Sequence, residues 1–147
     1  MPLNTERKGY FIEELEIGMS TEYSRKVTQQ DIKNFADVSG DDNPVHLDET
    51  FARETQFKGC IAHGILSAAF ISTVIGTRLP GTGTIYLGQQ LKFIAPVRPG
   101  DTVITTVTVT DINTEKRHAS LKTVCSVNDK RVLEGKALVM VPSNSSS

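Results

Sequence analysis

Hydrophobic and polar positions change period near residue 80, and the change divides the chain into a helical half and a strand half. In the first half, Thr28-Gln29-Gln30-Asp31 reads as a capping-box start. Ile32, Phe35 and Ala36 follow at near-helical spacing, with Val38 as a further candidate, and Gly40 stops the helix. Asp48 is placed to cap a short second helix through 49–53. A third segment, 62–76, is apolar on almost every side and carries no charge until Arg78. Such a helix needs protein around it. An early strand is expected over 20–27.

Beyond residue 80 the pattern is that of strands. A first runs over 84–95 and ends at Pro96. The turn Arg98-Pro99-Gly100-Asp101 leads into 102–111, a Val/Thr/Ile run of high β propensity. A polar turn at 113–116 precedes 118–127, where His118, Ser120 and Lys122 alternate with Ala119 and Leu121, so one face is wet. Asn128-Asp129-Lys130 turns tightly into 132–141. An antiparallel meander with one hydrophobic helix makes an α+β sandwich, the sheet wrapped around the helix. That helix asks for more cover than one small sheet gives, which points to a subunit interface. No repeat or linker divides residues 1–147, and the serine-rich tail 143–147 is expected to fray.

Composition narrows the class. The 147 residues are the size of one domain, and 38% hydrophobic with 22% charged residues excludes a disordered or collagen-like chain. Sixteen Lys and Arg against 17 Asp and Glu leave a net charge of −1, so neither nucleic acid nor an anionic membrane is indicated as a partner. The longest wholly apolar run, Ala137 to Val141, falls far short of the ~20 residues of a membrane span. Glu6, Arg7 and Lys8 leave no signal-peptide core. Cys60 and Cys125 are too few for a disulfide framework and read as thiols of a reducing compartment, a single disulfide being the alternative. The expected location is the cytoplasm, an organelle matrix being the alternative.

Candidate chemistry concentrates in two places. Phe35 to His46 sets a carboxylate, Asp41, five residues before an imidazole, His46, across the turn-formers Gly40, Asp42, Asn43 and Pro44. A turn there can bring both groups to one pocket, where a carboxylate and a neutral imidazole that share one water can take a proton with one group and return it with the other. The same residues also suit any surface turn. Asp42 adds a second carboxylate, and since successive side chains point apart it is expected to face solvent. The second place is Gly59-Cys60-Ile61-Ala62-His63-Gly64, opening the apolar helix. Gly64 lets a ligand approach backbone N–H groups at a helix N-terminus, a natural seat for a developing oxyanion. Close packing at Gly64 and a satisfied interior His63 would equally explain it.

The run Ser39-Gly40-Asp41-x-Asn43-Pro44-Val45-His46, with Ala52 beyond it, resembles the signature of (R)-specific enoyl-CoA hydratases of the MaoC-like dehydratase family. The likeness continues through His63-Gly64, Gly81 to Gln89, Phe93-x-x-Pro96-Val97 and Gly100-Asp101. The resemblance implies a hot-dog fold, a curved antiparallel sheet wrapped around a long central helix, and a homodimer. It implies that Asp41 and His46 activate the catalytic water and that the Gly64 amide polarises a thioester carbonyl. Asn43, Ser72 and His63 become supporting residues, Ser72 having the alternative of a bond back to the preceding helical turn. The expected reaction is reversible syn hydration of a trans-2-enoyl-CoA to the (R)-3-hydroxyacyl-CoA. No metal or organic cofactor is expected, since the substrate carries its own activating carbonyl. Apolar side chains near the helix and the 84–95 strand are expected to line the acyl tunnel. Lys58, Arg78, Lys92 and Arg98 are candidates for the coenzyme A phosphates, each having the alternative of a solvated surface charge. The alternatives are a dehydratase acting on an acyl-carrier-protein thioester, a hot-dog thioesterase and a non-catalytic partner subunit. A metal site on Asp41, His46 and His63 has no tight ligand spacing behind it. Fatty-acid oxidation, fatty-acid synthesis and polyhydroxyalkanoate supply share this chemistry, so pathway and chain length stay open.

Overall fold

A computed structural model describes residues 9–145; the expectations placed on Glu6 to Lys8 and on residues 146–147 lie outside the described residues. Five strands form one antiparallel sheet: β1 (Ser20–Lys26), β2 (Ile85–Phe93), β3 (Thr102–Asn113), β4 (His118–Val127) and β5 (Lys130–Met140). Their order across the sheet is β1-β3-β4-β5-β2, so the β3-β4-β5 meander is central and β1 and β2 are edges. Register shifts between Tyr86 and Gly88, Val109 and Asp111, and Cys125 and Ser126 interrupt the pleat. Such bulges bend strands, and here they accompany a sheet that curves round one helix, the hot-dog arrangement.

That helix, α4 (Gly64–Thr77), buries Leu66, Ser67, Phe70, Ile71, Val74 and Ile75. Against them β3 turns Val103, Val107 and Val109, and β4 turns Ala119, Leu121 and Cys125. Full burial of each Val, Leu, Ile or Phe is worth roughly 1.5–3 kcal/mol before the entropy of ordering is charged. The opposite side of α4 is open in the single chain, with Ile65, Ala69, Ser72 and Gly76 exposed along one line. The sequence predicts protein on every side of this helix; the chain itself covers one.

Three short α-helices precede α4, after a single 3-10 turn at Ile12–Glu14. α1 (Gln29–Ser39) begins at Thr28, whose hydroxyl accepts from the Asp31 N–H while Asp31 accepts from the Thr28 N–H, and Gly40 ends it at φ 80°. Val38 belongs to the solvent face, at 83% exposure. α2 (Pro44–Leu47) was legible only as a turn, and α3 (Glu49–Arg53) is capped by Asp48 as its sequence predicts. Both cysteines are free and buried. The tail is held as far as Ser145: Glu13 accepts from the Ser143 hydroxyl and from the Asn144 N–H. No helix among the described residues is long and apolar enough to cross a membrane.

Candidate active site

The Asp41–His46 segment is shaped by its own polar side chains. The Ser39 hydroxyl donates to the Phe35 carbonyl at 2.6 Å and accepts from the Asp41 N–H at 3.1 Å. Asp41 Oδ1 accepts from the Asn43 N–H at 3.3 Å. Asn43 Oδ1 accepts from the Val45 N–H, and Pro44 follows as the first helical residue, whose missing N–H costs nothing there. Asn43 is thus the cap of α2, the helix that carries His46. That short helix turns His46 inward to 8% exposure, while Asp41 and Asp42 stay exposed in the single chain.

The irregular segment before α4 receives His46. The Ile61 N–H donates to the Val45 carbonyl, the Ala62 N–H to the Val97 carbonyl, and His46 Nδ1 lies 2.8 Å from the Ile61 carbonyl. A carbonyl only accepts, so Nδ1 carries the hydrogen and Nε2 keeps a bare lone pair. Burial holds the His46 pKa below its ordinary 6.5; the bond to Ile61 opposes this, neighbouring His63 adds to it, and the Asp41 charge opposes it. His46 is thus biased toward the neutral form that can take a proton.

His63 joins the pair. Its ring stacks on His46 with centroids 3.8 Å apart and planes 28° apart. One ligand atom each from Asp41, His46 and His63 falls within 4.8 Å of the others, which tests the metal alternative directly. One nitrogen of each ring faces a backbone carbonyl. The remaining lone pairs of two stacked rings leave along nearly parallel planes, whereas a metal needs them to converge at about 2.0–2.1 Å. The donor set fits hydrogen bonding better than coordination.

α4 begins at Gly64 and lacks a cap. Thr28, Asn43 and Asp48 cap the three shorter helices, but His63 makes no such bond to its own helix. The Leu66 N–H is taken by the His63 carbonyl at 3.0 Å, while the Gly64 and Ile65 N–H groups have no acceptor among the described hydrogen bonds and are free for a ligand. A cavity of about 420 Å³ opens here, lined by His63, Gly64, Ser67 and apolar side chains including Phe57, Phe93 and Leu133. Phe93 at the β2 end and Ile65 at the α4 start are among its apolar lining. Phe93 lies across the glycine: a Cβ on Gly64 would stand 2.6 Å from its Cε1.

Other candidates lie apart. Ser72 is exposed on α4, eight residues or about 12 Å along the helix from Gly64 at 1.5 Å per residue. Arg98 is turned inward and donates to the Phe57 and Gly59 carbonyls. Arg78 donates to the Glu22 carbonyl and lies over the Tyr23 ring. Both guanidinium groups thus have protein partners, which weakens them as phosphate ligands, while Lys58 and Lys92 are exposed. Sequence reasoning missed the Ile61 carbonyl, for which no local motif exists, and it named Phe93 within a motif without its place against Gly64. The Asn-Pro cap of α2 was visible in the residue types.

Residues 12–131 match the family model described as a MaoC like domain. The chain is 51% identical over 133 residues to an (R)-specific enoyl-CoA hydratase of Rhodospirillum rubrum, covering 90% of this chain and 92% of that protein. It is 47% identical over 132 residues to a 3-hydroxybutyryl-CoA dehydratase of Methylorubrum extorquens, covering 90% and 84%. Its fold is similar to that of an (R)-hydratase from A. caviae involved in PHA biosynthesis, with a TM-score of 0.86, 39% identity, and 88% and 99% of the two chains covered.

Proposed function

This chain belongs to the family of MaoC-like domains, and on that premise we propose that it hydrates trans-2-enoyl-CoA reversibly to (R)-3-hydroxyacyl-CoA. The observation that carries the proposal is a carboxylate and a neutral-biased imidazole within 4.8 Å of each other, beside the uncapped start of α4. Conjugation makes C3 of the enoyl thioester electrophilic. The Gly64 N–H and the α4 dipole stabilise negative charge on the thioester oxygen as the enolate forms. Water sits between Asp41 and His46. His46 Nε2 takes one of its protons, Asp41 fixes the other, and the oxygen bonds to C3. The imidazolium returns its proton to C2, which regenerates the site. Addition and proton return from one side make the addition syn. Each step uses the substrate's own carbonyl as the electron sink, so the reaction as written calls for no cofactor.

The neutral imidazole gives the pH dependence its sign. Hydration requires unprotonated Nε2, so kcat/KM is expected to fall on the acid side with a midpoint below 6.5. A midpoint above that value would remove His46 from the role of base. The same depressed pKa means that the unfolded chain binds the proton more readily. The His46 contribution to stability is therefore complete above the ordinary value and is lost as pH falls through the folded pKa.

The reading includes a homodimer. Edge strand β2 leaves Ile85 at 55% and Leu87 at 45% exposure, and Ile65 on the open side of α4 is at 54%. A long apolar edge invites pairing with another strand. A second copy supplies one by two-fold symmetry and would cover the exposed line of α4. Sedimentation at micromolar concentration is expected to give twice the chain mass, and a monomer would contradict it. A cytoplasmic location goes with this reading, supported by the two free thiols. The proposal itself is tested by assaying purified protein for hydration of an enoyl-CoA and identifying the product.

A further inference from the structure

We infer that His63 is a positioning residue: its ring ties the Asp41 turn and the His46 imidazole to the start of α4, so that the acid–base pair and the Gly64 N–H hold one geometry. This rests on the hydratase reading of the same site. Three contacts made by one side chain carry it. His63 Nε2 lies 2.9 Å from the Asp41 backbone carbonyl, 22 residues away in sequence. Its ring face lies on His46 at 3.8 Å, and Phe35 of α1 closes in at 4.8 Å, tilted by 55°. Its own carbonyl accepts the Leu66 N–H of the first turn of α4, and Gly64 is the next residue.

Packing alone does not explain a histidine here. The residue is 3% exposed, and its Nδ1 is buried with no hydrogen-bond partner. A Phe or Leu would fill the space without an orphaned polar atom. What histidine adds is the Nε2–H donated to Asp41. Because a carbonyl can only accept, that bond fixes the tautomer with hydrogen on Nε2, the opposite of His46. The two stacked rings then divide the work: His63 donates to the backbone that carries the carboxylate, and His46 presents a bare Nε2 to water. Asp41 has no other tie to α4 among the described hydrogen bonds, so the His63 donor decides where the carboxylate stands relative to the oxyanion seat.

The test compares His63→Phe, which keeps a buried ring without the donor, with His63→Gln, whose amide nitrogen reaches the place of Nε2. His63→Phe is expected to lower kcat about 10- to 100-fold with KM within about two-fold, the scale of a displacement near 1 Å. His63→Gln is expected to recover all but a few-fold. Full activity in His63→Phe, a His63→Gln as poor as His63→Phe, or a loss confined to KM would each overturn the inference. If His63→Phe does not fold, His63→Asn replaces it: its shorter amide cannot reach the Asp41 carbonyl, so it is expected to fall with the donor-less class, and activity equal to His63→Gln overturns the inference. A second readout stands apart from turnover. Imidazole ¹⁵N spectra of the wild-type protein are expected to show hydrogen on Nε2 of His63 and on Nδ1 of His46. Hydrogen on Nδ1 of His63 would overturn the positioning role even in an active enzyme. Expected tautomers in a protein without hydratase activity would overturn the functional reading instead.

Discussion

Asp41→Ala and His46→Ala are each expected to lower kcat by roughly 10²–10⁴, the usual weight of a positioned acid or base. The double variant is expected to be little worse than either single one, because both groups handle one water and act as a unit. Their effects on stability differ. Asp41 is exposed, so its loss touches little of the fold beyond the Asn43 N–H bond. The sequence, read as a polar turn, predicts the same for His46, but the imidazole is buried and serves the Ile61 carbonyl. Leaving that carbonyl unpaired costs about 1–3 kcal/mol. His46→Asn separates the two roles, since its amide nitrogen can occupy the place of Nδ1 while nothing replaces Nε2. It is expected to restore stability and leave kcat low. Asp42→Ala is expected to stay within a few-fold of wild type. Kinetics with thermal melts on these variants decide the matter; an inactive Asp42→Ala beside an active Asp41→Ala would move the catalytic carboxylate by one residue.

Gly64→Ala is expected to lower kcat by roughly 10²–10³, the scale of losing one oxyanion donor. The added methyl would stand 2.6 Å from Phe93 Cε1, beside the Gly64 N–H that the proposal assigns to the thioester oxygen. Two causes are then possible, a displaced ring or a blocked donor, and Phe93→Ala separates them. In the Gly64→Ala/Phe93→Ala double variant the ring is gone and the methyl remains. Continued loss of kcat assigns the effect to the blocked donor. Recovery to the level of Phe93→Ala alone assigns it to the ring and removes Gly64 from the oxyanion role.

Most of the fold was legible because its signals are local. Thr28 and Asp31, Asp48, and the Asn128-Asp129 turn each act on neighbouring backbone, and the alternation in β4 records its two faces without knowledge of its partners. The short α2 was readable in principle, since Asn43 before Pro44 is a cap followed by the residue best suited to the first helical position. The site was less legible because its decisive contacts are distant in sequence. Nothing near His46 announces the Ile61 carbonyl, and nothing near Asp41 announces His63. The surroundings of Arg98 were hidden for the same reason: its charge is visible in the sequence, but the carbonyls of Phe57 and Gly59 that engage it are not.

The proposed reaction is tested most directly by mixing the purified protein with crotonyl-CoA, octenoyl-CoA and a crotonyl acyl-carrier-protein thioester. The ultraviolet band of the conjugated enoyl thioester is followed, and the stereochemistry of the product is determined. The account predicts loss of the band on a CoA substrate without added metal, no release of free thiol, and a 3-hydroxyacyl product of R configuration. Activity on the carrier-protein thioester alone would assign the carrier differently within the same chemistry. Free coenzyme A in place of the alcohol, or an S product, would contradict the account.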